Sequence, residues 1–170
     1  MKWILFTGTW RLTDETVEKD VRKAACEVIS KGDGILTGGA TGVDYFAIDE
    51  AFTLDQNCSH IKVIIPANLE NYINDYYLNW QKKPVTKKDI DNLAFLLKKI
   101  KNINPKAVIE MSNIEITQEH YNLRNIEEIK FADEVYAFQV NESTGTQHTI
   151  DNALKNNLPV ILYKKYKIIE

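Results

Sequence analysis

Short apolar runs alternate with amphipathic stretches along this chain, and that alternation limits the architectures open to it. "KWILFT" (residues 2–7) has the length and composition of a buried strand and is ended by Gly8. In "LTDETVEKDVRKAACEVISKG", Val17, Val21, Ala24, Ala25, Val28 and Ile29 fall on one face at helical spacing. Thr13 is the expected N-cap, Asp14 and Glu15 suit the first turn, and Gly32 stops the helix. "GILTGG" predicts a second strand, Val43 to Leu54 a second helix, and "HIKVIIP" a third strand closed by Pro66. Further on, a helix from about Thr117 to Phe131 leads to the strand "DEVYAFQV", a helix from Thr146 to Asn157 and a last strand "PVILYK". Strands alternating with helices build βαβ units. The expected class is therefore α/β, a mostly parallel sheet with helices on both faces.

The alternation breaks between about residues 67 and 117. That stretch holds the aromatic-rich "NYINDYYLNW", a lysine-rich helix around "DIDNLAFLLKKIKN" and a candidate strand "KAVIEM". We read it as a helical and aromatic insert within one domain spanning 1–170, a length that can bury a sizeable core. Trp80, Tyr72, Tyr76 and Tyr77 in it are read first as core or interface and second as ligand contacts.

Composition excludes several classes. No apolar run approaches the roughly 18–20 residues of a membrane span, and the N-terminus lacks a signal-peptide pattern. Cys26 and Cys58 are isolated, as are His60, His120 and His148, so neither a metal site nor a disulfide framework is expected. Arg occurs only at positions 11, 22 and 124, while Ile, Lys and Asn abound, a bias expected of an AT-rich bacterial or viral genome. A cytoplasmic protein is expected, of a bacterium or of the host cell if phage-encoded. The net charge of −3 argues against a protein that coats nucleic acid. Between Lys82 and Lys106, however, eight Lys face only Asp89 and Asp91, about +6, leaving about −9 elsewhere. This is either a solvated helix face or a patch for a polyanion.

Ligands of open α/β sheets bind at the carboxyl ends of the strands, so the motifs belong there. "TGTWR" (7–11) follows the first strand, "TGGATGVD" (37–44) the second, and "NESTGTQHT" (141–149) follows "DEVYAFQV"; "LRN" (123–125) lies in the helix before that strand. Glycines at a strand-to-helix turn allow positive φ and close backbone approach. The helix that follows offers unpaired N–H groups and partial positive charge, a combination suited to phosphate. Neither turn is the dinucleotide GxGxxG or the GxxxxGK motif. Tight strand–helix packing would explain either turn alone. Two such turns with Arg11 and Arg124 beside them favour a ligand. Asp44 is either a first-turn cap or a ligand hydroxyl contact. Tyr45 and Phe46 read as packing, and Trp10 as a base-stacking platform or a loop anchor.

"TGGATGVDYFAIDEA" resembles the GGA-x-G, apolar, D-x-x-A motif of the SLOG superfamily, which includes the DNA-processing protein DprA, the LOG-type phosphoribohydrolases and the YspA-related proteins. "FTGTWRLTD" resembles the YspA-type opening. "LRNIEEIKFADEVYAF" resembles RN-x-x-(Met or Ile)-x-x-x-AD-x-(Val or Ile)-x-AF, and "STGTQHTIDNALKNNLPVILY" resembles the GGT segment ending in PV. The resemblance implies a Rossmann-like fold that binds nucleotides or nucleotide-derived ligands, with no cofactor. It places Gly8, Thr9, Arg11, Gly38, Gly39, Ala40, Thr41, Gly42, Asp44, Arg124, Asn125, Ser143, Thr144, Gly145 and Thr146 in the pocket. Phosphate would lie on the backbone at 38–42 and 144–146, with Arg124 forked onto it.

The departures bear on activity. Thr149 stands where the phosphoribohydrolases carry a glutamate, so general acid–base work lacks its usual agent; Asp44 and Glu142 are the remaining catalytic candidates, and Asp151 lies at another offset. Ile126 replaces the second Arg of the DprA element, and DprA's extra domains have no counterpart. The first reading is a sensor or sequestering protein for a nucleotide-type signal, including cyclic and ADP-ribose forms, assembled as a homo-oligomer. The second is an N-glycosidase or deoxyribosyltransferase-like enzyme, and the third a single-stranded DNA binder.

Overall fold

The computed structural model describes residues 1–79, 81 and 85–169. In chain order the elements are β1 (Trp3–Gly8), α1 (Glu15–Ser30), β2 (Gly34–Thr37), α2 (Val43–Leu54), β3 (Ile61–Ala67), α3 (Leu69–Asn79), α4 (Lys87–Ile103), β4 (Val108–Asn113), α5 (Gln118–Phe131), β5 (Glu134–Val140), α6 (Thr144–Lys155) and β6 (Val160–Tyr166). The strands form one sheet in the order β4-β3-β2-β1-β5-β6, and every pairing is parallel.

The pleat sends alternate strand residues to opposite faces. Ile4, Phe6, Ile35, Val63, Ile65 and Phe138 pack against α1 to α4. Leu5, Leu36, Ile64, Val135 and Ala137 pack against α5 and α6. Strands buried on both faces must be apolar at nearly every position, which is why these runs read as continuous rather than alternating. Each fully buried Ile or Leu contributes about 1.5–3 kcal/mol of apolar burial.

Local chemistry corrects three boundaries. Asp14, not Thr13, caps α1: its extended backbone lets the carboxylate accept the Val17 N–H at 2.9 Å. Pro66 lies inside β3 rather than ending it. Lacking an N–H, it coincides with a register slip of the β3–β4 ladder between Ile65 and Ala67. Ser143 occupies the N-cap of α6, which begins at Thr144, two residues before the expected start.

Residues 67–117, read above as a helical and aromatic insert, are part of the same sheet and helix layers. They supply α3, α4 and the edge strand β4, and so extend the same layers. Tyr72, Ile73 and Tyr76 form the buried stripe of α3, and Tyr77 donates to Asp91 at 2.6 Å. Thr86 and Asp89 close a capping box on α4. Lys87 pairs with Asp91 and Lys101 with Glu110, while Lys99 covers Phe52 and Phe95. Trp80 and Lys82, with Lys83, lie outside the described residues. Among the described residues no helix is long and apolar enough to cross a membrane.

Candidate functional site

The strand order reverses between β1 and β5. The chain leaving β1 turns to α1 on one face, and the chain leaving β5 turns to α6 on the other, so the two loops part and leave a crevice. A cleft of about 790 Å³ opens there. Its lining comes from the segment after β1, the start of α6, one face of α5, and Ala40, Asp44 and Tyr76.

The glycine turn after β2 is held from within the protein. Asp44 accepts the N–H groups of Gly38 (3.1 Å) and Ala40 (3.2 Å). The Gly39 N–H goes to the Thr37 hydroxyl, and that of Thr41 to the Tyr76 hydroxyl. Tyr72 donates to the Gly39 carbonyl at 2.9 Å. The glycines have internal reasons too. A Cβ on Gly38 would overlap the Arg124 guanidinium and lie 2.6 Å from Glu128 Oε1. Gly39 and Gly42 have φ of +68° and +76°, the left-handed region that glycine enters without strain. Gly38, Gly39, Thr41 and Gly42 are not among the cleft-lining residues. Of the backbone at 38–42 expected to cradle phosphate, the N–H groups of residues 38 to 41 have acceptors within the protein.

Behind that turn lies a buried charge cluster. Arg124 is 8% exposed, and its Nη1 donates to the Gly38 carbonyl, its Nε to Asn125 Oδ1 at 3.0 Å. Glu128, one helical turn on and 4% exposed, approaches Arg124 Nε at 3.6 Å. Burial works against the arginine charge, but Glu128 and Asp44 help to hold its pKa above the ordinary value. Burial pushes Glu128 up to about 8, with Asp44 adding to the rise and Arg124 opposing it. Burial likewise pushes Asp44 up to about 6, against Arg124 and its two backbone N–H bonds.

This cluster sets a pH dependence. Both carboxyls are raised above their ordinary values of 3.8 and 4.5, so between about pH 4 and 8 the folded protein holds protons that the unfolded chain has released. Stability is greatest at the acid end of that window and is lost as pH rises through it. A tenfold change in one protonation constant is about 1.4 kcal/mol, or a midpoint shift of roughly 3–5 °C. Thermal melts should fall by at least that much between pH 5.5 and 8.5, and Glu128→Gln should flatten the upper part of the curve.

The start of α6 is built differently. Ser143 Oγ donates to the Thr146 hydroxyl at 2.8 Å rather than capping the helix backbone. The N–H groups of Thr144, Gly145 and Thr146 meet no protein acceptor among the described residues. Gly145 needs no positive φ, and a Cβ there would meet nothing within 4 Å. No internal contact requires a glycine at this position.

Most of the predicted residues converge. Gly8, Thr9 and Arg11 after β1, Arg124 and Asn125 on α5, Ser143 to Thr146, and Ala40 and Asp44 all line the cleft. Gly8 is also needed for packing, since a Cβ would lie 2.6 Å from the Phe138 carbonyl. Arg11 lies over the Trp10 ring at 4.6 Å and makes no ion pair among the described residues. Glu142 is exposed and outside the lining, whereas Thr149 lies within it and donates to the Gly145 carbonyl at 3.2 Å. Sequence reasoning missed Gln118, Tyr121 and Glu128, which line the cleft with Arg124 and Asn125. Their spacing of three and four residues was a readable signal: α5 turns a polar stripe inward. Glu128 also stands where the segment pattern quoted above has Met or Ile.

No protein-family model matches the chain, and no curated protein sequence matches it significantly. Solved structures do. DNA processing protein A from Helicobacter pylori, studied for its single-stranded DNA binding mode, superposes with a TM-score of 0.67 at 18% identity, covering 99% of this chain and 66% of its own. The fold is of the DprA type. DprA from Streptococcus pneumoniae gives a TM-score of 0.51 at 13% identity over 95% of this chain and 59% of its own. The structural-genomics target TM1055 gives 0.51 at 14% identity over 94% and 72%. The chain thus spans just under two thirds of the Helicobacter protein, and at such identities the likeness concerns the fold alone.

Proposed function

We propose that the cleft binds a small nucleotide-type ligand, with its phosphate on the N–H groups of Thr144, Gly145 and Thr146. The observation that carries this reading is the first turn of α6: three free donors around a glycine that no protein contact requires. Helix N-termini with open amides hold phosphate well. Arg11, exposed and without an ion pair among the described residues, supplies a mobile cation beside them. The β2 turn and its Arg124–Asp44–Glu128 support form the fixed floor.

The protein acts as a sensor or sequestering protein. Thr149 and the engagement of Asp44 in two backbone bonds leave the glycosidase reading without a free carboxylate at the family position. The ligand panel comprises nucleoside monophosphates, NAD, ADP-ribose, cyclic nucleotides and short single-stranded DNA. A thermal shift with one small nucleotide and no product by mass spectrometry supports binding; release of free base would assign an enzyme instead. Size-exclusion chromatography with light scattering tests the homo-oligomer that belongs to this reading.

A second reading, single-stranded DNA binding, draws on the fold shared with the Helicobacter protein. It predicts an affinity that falls steeply with salt. The α4 lysines do not favour it at the cleft, since none of them lines it.

A further inference from the structure

We infer that Glu128 reads the sugar of the ligand: its carboxyl accepts the hydroxyls of a ribose whose phosphate lies on α6, and so selects ribonucleotides over deoxyribonucleotides. The inference rests on the phosphate site proposed above. Glu128 is 4% exposed yet lines the cleft; its Oε1 forms an ion pair with Arg124 Nε at 3.6 Å, and the side chain makes no hydrogen bond among the described residues. Its neighbours differ. Asp44 accepts two N–H groups, Arg124 donates to two oxygens, and Thr146 and Thr149 each have a hydroxyl partner. A carboxyl held in the cleft wall with acceptor capacity to spare is well placed for a partner that arrives with the ligand.

Charge balance does not call for both acids: Glu128 and Asp44 share the single guanidinium, with Glu128 acting on it the more strongly. An apolar side chain, as in the Met or Ile of the segment pattern, would fill the position without a second buried acid. The phosphate end of the ligand is already met by the α6 amides in this reading. What adjoins a nucleotide's phosphate is its sugar. A ribose offers two hydroxyl donors to a group with two acceptor oxygens. Carboxylates grip ribose hydroxyls in the same way in other doubly wound folds. α5, which carries Glu128, and α6, which carries the phosphate site, cover the same face of the sheet. A chain of DNA lacks the 2′-hydroxyl and has its 3′-oxygen esterified, so this site favours a free ribonucleotide.

The test is calorimetric titration with the four ribonucleoside 5′-monophosphates and their 2′-deoxy forms, and with ribose 5-phosphate against 2-deoxyribose 5-phosphate. Wild type, Glu128→Met and Glu128→Gln are compared, each checked by thermal melting. The wild type should favour the ribo form of the bound probe by about tenfold or more, as expected when a ligand hydroxyl is lost and a buried acceptor is left unpaired. In Glu128→Met the ratio should fall to within about twofold, while Glu128→Gln, which keeps one acceptor oxygen, retains part of it. The ratio matters rather than the affinity, because a merely structural role would weaken both sugars alike. Equal binding of ribo and deoxy forms by the wild type overturns the inference and leaves the phosphate site standing, and the wild-type ratio needs no variant. A preference that survives in Glu128→Met, or one that follows the base and ignores the sugar, also overturns it. If none of the probes binds, the phosphate site fails and this inference with it.

Discussion

Gly145→Ala should raise the thermal midpoint of the unliganded protein while weakening nucleotide binding at least tenfold. The two effects have opposite signs because they have separate causes. In the free protein the added Cβ meets nothing within 4 Å, and the residue sits inside α6 at a φ that any residue adopts. Alanine is better than glycine in a helix by up to about 1 kcal/mol. In the complex the same methyl group stands where the phosphate approaches the backbone. Gly145→Val should abolish binding altogether. Gly38→Ala is the control, with the opposite stability outcome. Its Cβ would overlap the Arg124 guanidinium, and overpacking of that kind costs about 1–3 kcal/mol. Melting curves with and without ligand read all three substitutions. A Gly145→Val protein that binds as the wild type does would remove α6 from the site.

Arg124→Met should be the most destabilising single substitution in the cleft. It removes the counter-charge from Asp44 and Glu128, 8% and 4% exposed, and strips the Gly38 carbonyl of its donor. Breaking a buried ion pair by deleting one partner costs about 3–5 kcal/mol. At 2–4 °C per kcal/mol that is a midpoint loss of roughly 6–20 °C. Arg124→Lys keeps the charge but cannot reach the Gly38 carbonyl and Asn125 together through a planar fork, so an intermediate loss is expected. The loss should be larger at pH 8.5 than at pH 5.5, where protonated carboxyls tolerate the missing cation. Were Arg124 chiefly a phosphate ligand, Arg124→Lys would lower affinity and leave the melting curve almost unchanged.

The layered fold was legible because the four inner strands are buried on both faces and so are apolar at nearly every position, unlike the edge strands β4 and β6. Val43 to Leu54 reads as a helix and is one, and the helix expected from about Thr117 to Phe131 runs from Gln118 to Phe131, with Thr117 as its cap. What the sequence hid was tertiary. Thr13 and Asp14 are adjacent residues that both cap helices, Asp the better of the two, and the extended backbone falls at Asp14. The buried stripe of α3 carries Tyr72 and Tyr76, whose hydroxyls hold the glycine turn, and their place in the core was not legible in an aromatic-rich stretch.

The glycines show the same limit within the site. Gly38 and Gly145 look alike in sequence, both small residues at a strand-to-helix turn. One makes room for an arginine 86 residues away in the chain, and the other faces open space. Glu128 sits in "IEEIK", where a glutamate ordinarily marks a solvated helix face. Only the docking of α5 against the sheet shows that this turn of the helix is buried.

The central claim is that the ligand's phosphate lies on the first turn of α6. Backbone amide NMR on the isotope-labelled protein, titrated with ribonucleoside monophosphates, tests it most directly. Saturable shifts should be largest at Thr144, Gly145 and Thr146, with Arg11 and Glu128 following and the amides of Gly38 to Thr41 nearly still. Shifts centred on Gly38 to Thr41, or on the α4 lysines with α6 unmoved, would contradict it.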